Sequence, residues 1–263
     1  MQLNPVSHDQ IGRKAWLQRT QGRLSFKDRM QLIGHSLLPT MRQLGRMHLA
    51  AHGQQRSVSA LHFSLADLQL PDSYDTAQAL QAVQDCASEA VLNHSIRTWF
   101  YAAAFARLSH VPLDQELLAA GCLLHDLGVT GQYHQHHAGC QCFAGQGAYA
   151  AADWAAQQGW PQARQDVLFD MICLHMNAYV ALTEGNEAHL LQQATACDVI
   201  GLRMQELPDA YRQEVLAAYP RLNFNEEFLD FTKAEAKIRP KSRAALMLDM
   251  GFALYLKSNP FQA

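Results

Sequence analysis

Several features of membrane, secreted and disulfide-stabilised proteins are missing from this sequence. It has no run of about 18 or more uncharged apolar residues, so a transmembrane helix is not expected. The opening Met1–Pro5 stretch has no apolar segment of the kind a signal peptide needs. The six cysteines are scattered, and Cys140 and Cys142 have no second pair with which to complete a zinc site. These absences predict a cytoplasmic protein without a disulfide framework.

Alternating strand patterns are also nearly absent, whereas apolar residues recur at spacings of three and four along most of the chain. This periodicity predicts an all-α protein, and the 49% hydrophobic content can fill a sizeable core. The predicted helices lie near Ser25–Gly34, Leu37–His52, Thr76–Ser109, Asp114–Leu127, Gln146–Gln158, Pro161–Met176, Ala188–Met204, Pro208–Ala218, Asn225–Ala236 and Lys241–Leu256.

Positive charge is concentrated at the start of the chain. Residues 1–60 carry nine Lys or Arg against two acidic residues, so with a net charge of −3 the remainder carries −10. We predict a basic N-terminal helical extension over 1–60 and a main domain over 61–263. The basic residues are not interleaved with stacking aromatics, so nucleic-acid binding is not expected. Packing of the extension against the acidic body is favoured, and docking of a partner on Arg13–Arg46 is the alternative.

Polar residues stand where the helical pattern calls for inward-facing apolar ones. His94 continues the stripe of Val83, Ala87 and Val91, and His125 continues that of Leu118 and Cys122. Two further helices show the same pattern, with His175 following Leu168 and Ile172 and with Asp198 following Leu191 and Ala194. Burying such groups without a partner costs about 1–3 kcal/mol each, and more for a carboxylate, and a divalent cation would remove this cost. Nitrogen and oxygen ligands of this kind suit zinc, iron or manganese.

The motifs around these residues resemble those of the HD-domain superfamily of metal-dependent hydrolases, in which the ligands come in the order His, His-Asp, Asp. The resemblance covers about residues 70–205 and is closest to the cyanamide hydratase-like branch. It implies an HD-domain helical bundle, with the C-terminal helices completing it. The segments that carry the resemblance are Leu92–Thr98, Leu123–Gly128, Phe143 with Gly147 and Ala148, Cys173–Met176 and Cys197–Gly201.

The resemblance also implies roles for individual residues. One divalent transition metal would bind to His94, His125, Asp126 and Asp198. His175 would be an active-site residue that contacts substrate, positions water, moves a proton or ligates a second ion, and Asp126 would also take part in catalysis. Asn93 and Arg97 would support the site and contact substrate, Arg97 as the one basic candidate within the motifs. The sequence departs from the branch at Ala144-Gly145-Gln146, where an acidic stretch is usual, which makes cyanamide itself a doubtful substrate.

The function predicted from these residues is attack by metal-activated water on a small polar molecule, either a phosphoester or a nitrile-like C≡N compound. A di-iron oxygenase is the second hypothesis, and it requires ligands from His134, His136 or His137. A non-catalytic module that binds a metal or nucleotide is the third.

Two further expectations concern packing. Five methionines, Met171, Met176, Met204, Met247 and Met250, are interpreted as core filling. The Lys241–Leu256 helix is expected to close the bundle or to support a homodimer. The partner predicted for the site is a small-molecule substrate, with no membrane involved.

Overall fold

The computed structural model describes residues 10–36, 63–259 and 261, and within them the chain is helical and contains no strand. The all-α prediction is confirmed. None of the described helices combines the length and the apolar character needed to cross a membrane. The α-helices are α1 Lys14–Thr20, α2 26–36, α3 Tyr74–Gln84, α4 Glu89–Ser109, α5 Gln115–Leu124, α6 Phe143–Gln157, α7 Gln162–Leu174, α8 Asn186–Ile200, α9 Asp209–Ala218, α10 Phe224–Ile238, α11 Arg243–Asp249 and α12 Phe252–Lys257.

Two predicted helices are each divided in the structure. The prediction of one helix over Thr76–Ser109 is wrong, because Ser88 caps a new helix by accepting a hydrogen bond from the Val91 amide at 3.3 Å. The Lys241–Leu256 helix is divided at Gly251, whose φ of 88° lies in the left-handed region that ends helices. The predicted helix Leu37–His52 lies outside the described residues.

Helix α1 was not predicted, yet it fixes the N-terminal segment to the body of the protein. Trp16 and Leu17 are buried in the core, although seven residues give too short a pattern to detect periodicity. The preceding Arg13 donates to Asp170 at 2.8 Å, and Lys14 pairs with Asp166 at 2.5 Å, both acids of α7. Over residues 10–36 the basic extension therefore packs against the acidic body.

Helix α4 is the centre of the bundle. Every residue from Asn93 to Ala106 is buried, which is the behaviour of a helix surrounded by others on all sides. Helices α5, α8, α9 and α10 contact it, and α7 packs against both α5 and α8. His94 lies near the start of this buried stretch. Any polar group on its side chain must therefore find partners from the surrounding helices.

Two glycines allow α6 to approach the turn that follows the His125-Asp126 doublet. A Cβ atom on Gly128 would lie 1.9 Å from the carbonyl oxygen of Phe143, and one on Gly147 would lie 3.1 Å from the Gly128 nitrogen. Both obstructing atoms are backbone, so a side chain could not be accommodated by rotating a neighbour. The glycines at these two motif positions thus serve close packing of α6 against the doublet.

We predict that Gly128→Ala destabilises the protein by about 3 kcal/mol, since the new methyl group forces two backbone segments apart. Gly131→Ala is the matched control, because a Cβ atom there meets nothing within 4 Å, and its effect should stay within about 0.5 kcal/mol. Urea unfolding of both variants measures the difference. Equal stability of the two variants would contradict the close-packing interpretation.

Candidate metal centre

Three of the predicted ligands converge inside the bundle. The Nε2 atoms of His94 and His125 are 3.2 Å apart, and Asp126 Oδ2 lies 3.6 Å from His94 Nε2 and 3.3 Å from His125 Nε2. One ligand atom from each of the three residues lies within 4.8 Å of the other two, and all three side chains are buried. We call His94, His125 and Asp126 the trio.

Helix ends orient two of the imidazoles at this site. His125 follows the last residue of α5, and its Nδ1–H donates to the Cys122 carbonyl at 2.9 Å. His175 follows the last residue of α7 in the same way, and its Nδ1–H donates to the Ile172 carbonyl at 2.5 Å. Carbonyls in the last turn of a helix have no partner within the helix, so each is a natural acceptor. In each ring Nε2 is therefore left as the lone-pair atom that can bind a cation.

His94 is oriented by Asp198. Its Nδ1–H donates to Asp198 Oδ2 at 2.6 Å, which leaves Nε2 as the atom that faces His125 and Asp126. The Asp198 carboxylate also accepts two hydrogen bonds from Arg97, both at 2.8 Å, and one from Arg221 at 3.1 Å. Asp198, expected from the sequence as a ligand, therefore lies behind His94 and outside the trio. The geometry makes it a supporting carboxylate, and direct ligation by Asp198 stays a prediction.

The trio fits a divalent cation. Asp126 Oδ1 is buried and has no hydrogen-bond partner, and it lies 3.8 Å from His175 Nε2. A buried carboxylate oxygen without a partner is costly, and a cation between it and the imidazole nitrogens would satisfy it. Two imidazoles and one carboxylate are a donor set of zinc and other transition metals. His175 is placed to add a third imidazole.

Burial and neighbouring charges shift the pKa values of this cluster. Burial, reinforced by the proximity of His125, lowers the pKa of His175 to about 3, and burial also lowers the pKa of His94. Both rings are therefore neutral at pH 7, as metal ligands must be. For His125 burial acts downward, but the Asp126 carboxylate outweighs it and the pKa is raised. Burial acts upward on Asp126, yet the neighbouring imidazoles, His125 foremost, outweigh it, so its pKa is lowered.

Two residues expected to contact substrate face elsewhere. Asn93 donates to the Pro220 carbonyl at 3.1 Å. Arg97 is fully buried, and beyond its bonds to Asp198 it donates to the carbonyls of Tyr219 and Pro220 at 3.0 and 3.1 Å. Neither lines the cavity described below. The structure thus gives substrate contact by Asn93 or Arg97 no support and assigns both to anchoring the segment after α9.

The three histidines that a di-iron site would need have other partners. His134 Nε2 lies 2.8 Å from Glu235, and Arg239 donates to the His134 carbonyl at 2.9 Å. His136 pairs with Asp153 at 2.7 Å, and the ring of His137 stacks on Tyr149 with centroids 3.7 Å apart. The structure brings none of the three to the trio.

A cavity of about 600 Å³ opens from the trio and His175. Its walls include Leu32 of α2, Met247 of α11 and Phe252 and Tyr255 of α12, so both ends of the described chain contribute to it. Sequence reasoning missed this cavity. Of the five methionines interpreted as core filling, four line the cavity: Met176, Met204, Met247 and Met250. Met171 is not among the lining residues. Apolar helical spacing does not distinguish a cavity wall from a filled core, so the sequence held no separate signal.

Residues 91–201 match the family model of the HD domain. No curated protein matches the chain. The matched segment runs from α4 to the residue after α8 and contains the trio, His175 and Asp198. HD domains bind divalent metals and form a superfamily of metal-dependent hydrolases. The match supports membership of the HD-domain superfamily, and it does not identify the cyanamide hydratase-like branch.

We predict that Asp198→Asn lowers the stability of the metal-free protein by about 3 kcal/mol, because it removes the only carboxylate that is shown to pair with Arg97 and Arg221. The control is Asp209→Asn, which breaks an exposed pair with Arg212 and should cost less than about 1 kcal/mol. Urea unfolding in the presence of a chelator measures both. A carboxylate that served only as a ligand would leave the metal-free protein unchanged or more stable when neutralised, and that result would refute the supporting role.

Proposed function

We propose that this HD-domain chain is a metal-dependent hydrolase or hydratase that adds water to a small-molecule substrate. The observation that carries the proposal is the trio, with its three inward ligand atoms and a buried Asp126 oxygen that lacks a partner. The proposed ligands of one divalent ion, zinc, iron or manganese, are His94, His125 and Asp126, and His175 is placed to be the fourth. The deep burial of these groups argues against a purely structural cluster, because without an ion it would leave Asp126 unsatisfied.

When bound, such an ion supplies a Lewis acid that lowers the pKa of a coordinated water towards neutrality. The residues of the chain then orient this water and accept hydrogen bonds from it. His175 is neutral at pH 7 and its Nδ1–H is engaged by the Ile172 carbonyl, so its Nε2 accepts hydrogen bonds and does not donate a proton. The free Oδ1 of Asp126 is the second acceptor at the site. Whichever of these two atoms does not bind the ion can accept a hydrogen bond from the water and so orient its oxygen for attack.

Two reaction classes fit this arrangement. In nitrile hydration the water oxygen bonds to carbon and the C≡N triple bond becomes a C=N double bond; tautomerisation then gives the amide, with both water protons on nitrogen. In phosphoester hydrolysis the water oxygen bonds to phosphorus, the ester P–O bond breaks, and the alcohol leaves with one of the two water protons. The cyanamide hydratase-like assignment belongs to the first class and stays part of the proposal.

Ala144-Gly145-Gln146, where the cyanamide hydratase-like branch usually has an acidic stretch, has a structural role through Gln146. The side chain of Gln146 is buried, accepts from the His137 amide at 2.6 Å and donates to the carbonyls of His137 and Cys140. It therefore fixes the loop before α6 and does not line the cavity. A substrate contact from an acidic residue in this stretch is not available, which supports a substrate other than cyanamide.

Metal content per chain tests the proposal. Protein purified without added metal, or reloaded with zinc, iron or manganese after chelation, should bind about one ion. His125→Ala should lose it, since Nε2 of His125 is central to the trio. The matched control is His136→Ala, a histidine of the loop that pairs with Asp153 and should leave metal content unchanged.

Turnover then separates the hypotheses. Metal-dependent conversion of nitriles or phosphoesters, abolished in His125→Ala, would support the enzyme and exclude a purely regulatory module. Two irons per chain, one of them lost in His134→Ala, would shift the assignment to oxygen chemistry. Failure of every metal to bind would refute the site.

A further inference from the structure

The cavity beside the trio is much larger than the reaction requires. Its volume of about 600 Å³ falls in the range of pockets that enclose drug-sized ligands. A molecule as small as cyanamide would leave most of it filled with water against apolar walls. The size of the cavity therefore points to a substrate with a body that extends well beyond the reacting group.

Most of the surface that lines the cavity is apolar. Val199 and Ile200 of α8, Met247 of α11 and Phe252 of α12 all contribute side chains to the cavity. Removal of apolar surface from water contributes roughly 25 cal/mol per Å² to the free energy of binding. Such a wall therefore favours binding of an apolar body over a polar one.

Cationic groups for an anionic substrate are scarce among the described residues that line the cavity. Arg243 is the one Lys or Arg among the described lining residues. Its Nη1 donates to the Cys173 carbonyl at 2.7 Å and to Asn177 at 3.1 Å. Its Nη2 contacts the thiols of Cys142 and Cys173 at 3.2 and 3.3 Å. These bonds hold both terminal nitrogens, and Nε, which has no partner, is buried, so a phosphate group would find no exposed arginine or lysine nitrogen among these lining residues.

We propose that the substrate is an uncharged molecule with an apolar body, which lies against the wall of α8, α11 and α12 while its reacting polar group reaches the trio. For the reacting group of the substrate this inference rests on the proposed function, and for the apolar body it rests on the cavity. Within the nitrile class it favours nitriles with long alkyl or aromatic groups over cyanamide. It disfavours phosphoesters.

Met247 is the residue we select to test the wall. It belongs to α11, lies outside the segment that matches the HD domain, and is part of neither the trio nor its hydrogen bonds. A carboxylate at this position would face the apolar body of the substrate. Leu254 of α12 is the matched control, because it is 71% exposed and does not line the cavity.

The experiment measures binding of linear amides, from acetamide to octanamide, by titration calorimetry on the metal-loaded and on the chelator-treated protein. Amides are the products of nitrile hydration and do not turn over by that reaction. Each added CH₂ group should tighten binding by roughly threefold to fourfold, until the chain fills the cavity. Met247→Glu should weaken octanamide binding by at least about tenfold, because it places a charge against the alkyl chain, whereas Leu254→Glu should not.

Metal content of both variants should equal that of the wild type, which separates this proposal from the metal centre. A chain-length dependence that persists in the chelator-treated protein supports the cavity even where no metal binds and the proposed function fails. Affinity independent of chain length in the wild type would overturn the inference, as would tighter binding of phenyl phosphate than of octanamide. Because the wild-type series decides this, misfolding of Met247→Glu would not leave the inference untested.

Discussion

The contact between His94 and Asp198 is the interaction on which the rest of the site depends. Asp198 lies on α8 and His94 on α4, the central helix, so their 2.6 Å hydrogen bond joins two helices of the bundle through one buried pair. The same carboxylate balances Arg97 and Arg221, and those arginines hold the carbonyls of Tyr219, Pro220 and Asp198 itself. A buried carboxylate is tolerated only when it is paired in this way. The pairs also hold its pKa well below the ordinary value, although burial acts upward, so the acceptor for His94 stays ionised.

The ends of α5 and α7 complete the arrangement by a second physical rule. A helix leaves its last carbonyls without partners, and here each of two helices uses one of them to hold the imidazole that follows it. Both rings are thereby set in the tautomer that leaves Nε2 free. A local property of helix termini thus orients His125 and His175 in the candidate metal centre, with no additional side chain needed.

Much of the bundle and of the trio could be predicted because both depend on local patterns. Helical periodicity predicted the all-α fold. His94, His125 and His175 were identified because they are polar residues on inward-facing stripes. The break before Glu89 was not predictable from periodicity, since Val83, Ala87 and Val91 continue one stripe across it. The pairing of Asp198 with Arg221 was not predicted, for a different reason. Arg221 lies 23 residues away beyond α9, and a pairing at that separation leaves no periodic trace.

The cavity has a consequence for how this protein is divided into functional parts. The groups that would perform chemistry lie within residues 91–201, whereas Leu32, Met247, Phe252 and Tyr255 come from the segments on either side. Substitutions in those flanking segments can reshape the chamber while the buried polar cluster keeps its contacts. Part of the cavity wall is thus encoded outside the segment that contains the trio, and its shape can diverge through substitutions that leave the ligand residues unchanged.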